Sequence, residues 1–204
     1  MEKKTARLEA FSDGIFGVAI TLLAIEIGIS EYENATNLNL WEKIVEKWPE
    51  YFAYFNSFAT VLLIWMGHHK IFEKIWKANH WIILLNGLVL LFVVLFPFPT
   101  RTVGNFIGTS AQNTAIAFYA GFTGLIVLTM FLLNLGILSN KKFIINPEKN
   151  LAWFRNQTKQ QLIAISVYGI ATILAFYTPT IALILTFLMW VFWAFVTKDD
   201  NDED

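Results

Sequence analysis

The stretch Arg7-Leu8-Glu9-Ala10-Phe11-Ser12-Asp13-Gly14-Ile15-Phe16-Gly17-Val18-Ala19-Ile20-Thr21-Leu22-Leu23-Ala24-Ile25-Glu26-Ile27 decides the fold. It has the length and apolar content of a membrane-spanning helix, since about 20 residues at about 1.5 Å each cross the hydrocarbon layer. Its first two turns nonetheless carry Arg7, Glu9, Ser12 and Asp13. Charge near hydrocarbon is costly unless it is paired or used. At about 100° per residue, Val18, Thr21, Leu22 and Ile25 share one stripe, which Phe11 extends by two turns, whereas Ser12 and Asp13 point away from it. One face is therefore smooth and nearly uncharged. Another presents hydrogen-bonding groups that the rest of the protein must satisfy.

Composition fixes the solvent. The chain has 204 residues, 56% of them hydrophobic and 16% aromatic, with a mean hydropathy of +0.52. That is too apolar for a soluble domain and points to a polytopic, all-α membrane protein. There are no cysteines, so disulfides and thiolate chemistry are excluded. A cleaved signal peptide is not expected, because Arg7, Glu9 and Asp13 interrupt the opening.

Six spans are expected, each about 18 to 25 residues long. The first runs from about Leu8 to Ile29 and is followed by a polar connection with Trp41 and Trp48 as interfacial anchors. The second opens at Pro49-Glu50 and runs to about Gly67, closing on His68-His69-Lys70. The third covers about Trp81 to Phe96 and is expected to stop at Pro97-Phe98-Pro99-Thr100. The fourth covers about Thr114 to Leu138. A short interfacial helix from Asn146-Pro147-Glu148, with Trp153 and Phe154, leads into a fifth span of about Gln161 to Tyr177. Thr178-Pro179 caps the sixth, about Thr180 to Val196. The six-helix domain thus occupies residues 1–197, and residues 198–204 form an acidic tail expected to be cytoplasmic and disordered.

Charge placement tests this map. One side receives Lys3, Lys4 and Arg7; Lys70, Lys74 and Lys77; Lys141, Lys142, Lys149, Arg155 and Lys159; and Lys198, which is 12 of the 15 basic residues. By the positive-inside rule that side is cytoplasmic, and both termini lie on it. Arg7, Ser12, Asp13, His68 and His69 then share one depth. Two readings stand: a polar cluster fixing the first helix against its own bundle, or arginine and glutamate reaching the headgroups while the histidines face water.

The run Arg7-x-x-x-Phe11-Ser12-Asp13-Gly14, an apolar helix containing Thr21, the pair His68-His69 closing the second span and Pro97-Phe98-Pro99-Thr100 closing the third resemble the transmembrane protein 175 family of potassium channels in its short prokaryotic form. The resemblance covers essentially the whole chain. It implies six helices per subunit, a homotetramer in the cell membrane, and a central pore lined by the first helix of each subunit. It also implies that Val18 and Ile25 form a hydrophobic constriction, with Leu22 beside them. Thr21 then faces the pore and contacts K⁺ transiently. Glu26 lies one residue beyond Ile25 and either draws cations to the outer mouth or reaches the outer headgroups. The partners implied are K⁺ ions, the lipid bilayer and three further copies of the chain, with no cofactor and no nucleic acid. Ala10, Gly14 and Gly17 are spaced so that a neighbouring helix can come close.

Other readings are weaker. Thr102-Val103-Gly104 is similar to the start of the common potassium filter but lacks its second glycine, and two prolines precede it. No metal-spaced cluster, nucleophile elbow or phosphate loop supports an enzyme. The main alternative is a secondary transporter of a small cation or solute. Such proteins carry charge near the bilayer midplane, whereas here the polar residues of the central spans, Thr21, Asn56, Ser57, Asn86, Thr123 and Asn134, are all neutral.

Overall fold

The computed structural model describes residues 3–25, 27 and 36–196. Glu26 and the acidic tail at 198–204 lie outside the described residues. Among the described residues the chain forms eight α-helices: α1 (Ala6–Ile25), α2 (Asn37–Glu46), α3 (Trp48–Glu73), α4 (His80–Leu95), α5 (Pro97–Phe106), α6 (Gln112–Leu138), α7 (Pro147–Leu174) and α8 (Pro179–Val196). A single 3₁₀ turn, Lys141–Phe143, precedes α7. Each expected span coincides with a helix: α1, α3, α4, α6, α7 and α8. Of the described helices, Ala6–Ile25, the joined pair His80–Phe106 and Gln112–Leu138 are long and apolar enough to cross a bilayer. Pro179–Phe195 is a shorter apolar helix.

Two expectations are extended and one is corrected. The first polar connection contains a helix, α2, which leaves Trp41 and Val45 exposed. The helix before the prolines stops as expected, α4 ending at Leu95, but a new helix, α5, opens at once on Pro97. Phe96 keeps helical dihedrals (φ −64°, ψ −27°), its N–H reaches only to Val93 O, and Pro97 and Pro99 fall in the first turn of α5. First-turn N–H groups have no intrahelical acceptor, so two prolines are tolerated there. Finally, no separate interfacial helix precedes the fifth span. Asn146, left-handed at φ 44°, turns the chain, and α7 then runs unbroken for 28 residues from Pro147. Nothing between Pro147 and Leu174 breaks a helix except Gly169, and glycine alone is a weak breaker.

The core is aromatic. Phe16, Phe72, Phe96, Tyr119 and Phe154 are all fully buried. Burial of that size strands polar atoms unless they meet, and a cluster across α3, α5 and α6 pairs most of them, leaving Asn56 Oδ1 without a partner among the described residues. The Asn56 Nδ2 donates to Tyr119 Oη at 2.8 Å, and Ser57 Oγ lies 3.0 Å from Tyr119 Oη and 2.8 Å from Thr100 Oγ1. On α7, Phe154 O and Gln161 Oε1 accept from Asn134 Nδ2 of α6 at 3.0 and 3.3 Å.

One end of the bundle is laced together by backbone. Ile75 and Ile144 form an antiparallel bridge, Trp76 N donates to Phe143 O at 3.0 Å, and Ile145 N donates to Lys74 O at 2.8 Å. Lys4 N donates to Trp76 O at 2.9 Å, and Trp76 Nε1 to Lys142 O at 2.8 Å. The N-terminus and the two basic connections therefore share an end, as the charge pattern required. Thr102-Val103-Gly104 lies within α5. A Cβ on Gly104 would stand 3.2 Å from Glu50 Cα, so that glycine serves close packing of α5 on α3.

Candidate functional site

The first helix divides as its wheel predicts. Ser12, Phe16, Ala19 and Leu23 are buried against the bundle, while Phe11, Val18 and Ile25 are 62%, 54% and 73% exposed. Gly14 and Thr21 lie on the same open side, and Leu22 is half-buried at its edge. Ala10, Gly14 and Gly17 receive no close helix within the chain: a Cβ on either glycine would meet nothing within 4 Å. Thr21 Oγ1 donates to Val18 O at 2.8 Å. A helical threonine reaches the carbonyl three or four positions back, and here the nearer one is taken. Because the hydroxyl hydrogen is spent on the helix, the lone pairs of Thr21 Oγ remain to accept from, or coordinate, whatever faces the open side.

On the opposite side the motif residues are bonded within the chain. Ser12 Oγ donates to Leu8 O at 2.8 Å and accepts from Asn86 Nδ2 at 3.0 Å. With its amide nitrogen so engaged, Asn86 presents Oδ1 to His68 Nε2 at 2.6 Å. An amide oxygen only accepts, so His68 carries its proton on Nε2. Ser12, His68 and Asn86 are all buried, and His68 is wedged between Phe16 and Phe72, with ring centroids 5.2 and 4.6 Å away.

Asp13 bonds elsewhere. Its Oδ1 accepts from Trp65 Nε1 at 2.8 Å, so the partner is an indole of α3 and neither histidine. His69 is partly exposed, stacks on Trp65 with centroids 5.7 Å apart, and pairs with Glu73 at 3.2 Å. Arg7 is exposed and stands outside this network. Glu9 is held by Lys3 Nζ at 2.8 Å and by Thr5. Sequence reasoning missed Asn86 and Trp65. A lone amide inside the apolar run of α4 was a usable signal, since an amide in hydrocarbon must find a partner.

A bundle of long apolar helices, sealed internally by neutral hydrogen bonds and open along one uncharged helix face, defines an all-α integral membrane protein. A profile of the family described as endosomal/lysosomal potassium channel TMEM175 matches residues 7–97. A potassium channel of Chamaesiphon minutus is 37% identical over 120 residues, which is 59% of this chain and 59% of that protein. A potassium channel of Chryseobacterium sp. is 29% identical over 195 residues, 94% of this chain and 93% of that one. The crystal structure of a lysosomal potassium-selective channel TMEM175 homolog from Chamaesiphon minutus matches with a TM-score of 0.85 at 28% identity, covering 96% of this chain and 98% of that one. The chain is thus similar to the TMEM175 family over residues 7–97, and to the fold of one of its channels over nearly its whole length. Its named relatives are ion channels, not enzymes.

Proposed function

We propose that the protein is a potassium channel in which four copies surround a central axis, each contributing the open face of α1 to the pore. The observation that carries this reading is the division of α1. Phe11, Gly14, Val18, Thr21 and Ile25 are left uncovered by the chain's own helices, while Ser12 and Asp13 are bonded inward. The names of the bacterial relatives support potassium as the ion. All six long helices cross the bilayer, and both termini and the laced end lie in the cytoplasm, where the basic connections belong.

In this arrangement Val18 and Ile25 form two apolar rings, with Leu22 at their margin and Thr21 between them. Narrow apolar rings close a pore by excluding water, so no charge has to move. Glu26 sits beyond the outer ring in sequence and attracts cations to the mouth. Arg7, Phe11, Ser12, Asp13, Gly14, His68 and His69 belong to the end that anchors α1, with the open side of Phe11 and Gly14 turned to the axis. K⁺ contacts the Thr21 hydroxyls only in passing.

The test is reconstitution of the purified protein in planar bilayers under opposed K⁺ and Na⁺ gradients. Unitary currents that reverse toward the K⁺ equilibrium potential are expected. Transport without unitary steps, or a reversal potential set by protons, would overturn the proposal and leave a coupled transporter or a proton pathway in its place.

A further inference from the structure

The uncharged stripe of α1 runs out, at its first turn, on a single charge. Arg7 stands 18 residues before Ile25, a whole number of turns at about 100° per residue, so the two share one angle on the helical wheel. Val18 lies about 20° from both. Arg7, Phe11, Gly14, Val18, Thr21 and Ile25 follow one another at alternating steps of four and three, the spacing that keeps a seam of side chains on one side of a helix. All of them are exposed. Arg7 lies inside α1, which opens at Ala6, so the helical backbone itself fixes that angle.

The guanidinium also keeps its charge uncompensated. Among the described residues Arg7 meets no carboxylate and donates no hydrogen bond. Both acidic side chains of α1 are committed elsewhere. Glu9 lies about 200° round the helix from Arg7 and is held by Lys3 Nζ at 2.8 Å. Asp13 Oδ1 accepts from Trp65 Nε1 at 2.8 Å on the bundle side. Lys4, just before the helix, is exposed and of the same sign as Arg7. The last turn of α1 has no basic residue. The stripe is therefore cationic at one end only.

We infer that four Arg7 side chains form a cationic ring at the cytoplasmic mouth of the pore, which depletes K⁺ there and makes inward current larger than outward current. This rests on the tetrameric channel proposed above and names what gives it a preferred direction. Flux through a narrow apolar constriction scales with the concentration of ions waiting at its mouth, and a fixed potential of the same sign lowers that concentration. Arg7 lies about 16 Å along α1 from Val18, so it acts on entry from one side and not at the constriction. Salt should weaken the effect, because the screening length falls from about 10 Å at 0.1 M to about 3 Å at 1 M.

The experiment is single-channel recording of the full protein in planar bilayers with symmetric KCl. At equal and opposite voltages the native channel should pass at least about twofold more inward than outward current in 0.1 M KCl, and nearly equal currents in 1 M. Arg7→Gln should lose the asymmetry and Arg7→Lys should keep it. The chain has no cysteine, so Arg7→Cys supplies a single thiol. A cationic, membrane-impermeant methanethiosulfonate on the cytoplasmic side should restore the asymmetry in that variant, and an anionic reagent of similar size should reverse it. Opposite effects from equal bulk separate charge from packing. Lys142→Gln removes an exposed charge of the basic connection before α7 and should leave the asymmetry in place. Equal native currents at 0.1 M, Arg7→Lys behaving as Arg7→Gln, the same effect from both reagents, or loss of the asymmetry in Lys142→Gln overturns the inference and leaves the channel standing. Absence of unitary currents from the native protein overturns the channel reading and the cationic ring with it.

Discussion

Asn86 holds more of this structure than its size suggests. Its amide nitrogen serves Ser12 of α1 and its oxygen serves His68 of α3, so one side chain of α4 closes three helices on each other. Asn86→Leu would leave two buried partners unmet at about 1–3 kcal/mol each. The melting temperature of the purified protein should fall by several degrees, and adding His68→Phe to that variant should lower it by less than the His68→Phe change does alone, because the orphan is removed along with its ring nitrogen. Asp13 offers a second test at the same scale. Asp13→Asn keeps an acceptor for Trp65 Nε1, whereas Asp13→Ala removes it, so the alanine variant should be the less stable of the two by about 1–2 kcal/mol in denaturant titration. Equal losses would mean that the carboxylate acts through its charge and not through the indole. The need of Ser12 and Asp13 for partners was legible in the sequence, because polar groups in an apolar helix must be satisfied. Their identity was not. Trp65 lies 52 positions from Asp13 and Asn86 lies 74 from Ser12, and the register between helices so far apart is set by packing that no local pattern records.

At the scale of elements, α1 is two surfaces back to back. Leu23 is wholly buried and Ile25, two positions on, is more exposed than Phe11 or Val18 on the same stripe. The same substitution at the two positions should therefore do opposite things. Leu23→Asn puts an amide in the core and should cost folded protein, seen as loss of a monodisperse peak in size-exclusion chromatography. Ile25→Asn should leave folding intact and raise conductance, since an amide keeps a narrow ring wet. Similar damage from both would show that α1 is packed on all sides in the working assembly. The end of α4 before Pro97 was legible, because a continuing helix does not tolerate the proline pair. The helix that follows was not, because the same two prolines sit comfortably in a new first turn. Likewise Gly104 resembled part of an ion filter in sequence, and its real service is to let α5 touch Glu50 of α3. Gly104→Val should push those helices apart and destabilise the fold by about 1–3 kcal/mol, measurable as a lower denaturant midpoint.

For the whole molecule, the laced end gives the bundle a fixed base. Backbone bonds join Lys4, Lys74, Trp76, Phe143 and Ile145, so the start of α1 is tied to the connections that follow α3 and α6. With α1 anchored there and bonded inward through Ser12 and Asp13, its open face is held in a set orientation. On the proposed tetramer, the lining consists of apolar side chains and Thr21 hydroxyls, because the backbone carbonyls of a helix are occupied by its own hydrogen bonds. An ion crossing the Val18 and Ile25 rings must shed part of its water with little return. Na⁺, the smaller ion, holds water more tightly and is penalised more. Thr21 Oγ1 gives its hydrogen to Val18 O, so its free lone pairs are oriented to offset part of that penalty for K⁺. Thr21→Val keeps the shape and removes those acceptors. The K⁺ to Na⁺ permeability ratio from bi-ionic reversal potentials should then fall by about threefold to tenfold, the scale of one modest interaction free energy. Val18→Asn together with Ile25→Asn should nearly abolish selectivity while raising conductance. If both sets of substitutions leave the ratio unchanged, discrimination arises at some other part of the pathway and the α1 stripe serves only as its wall.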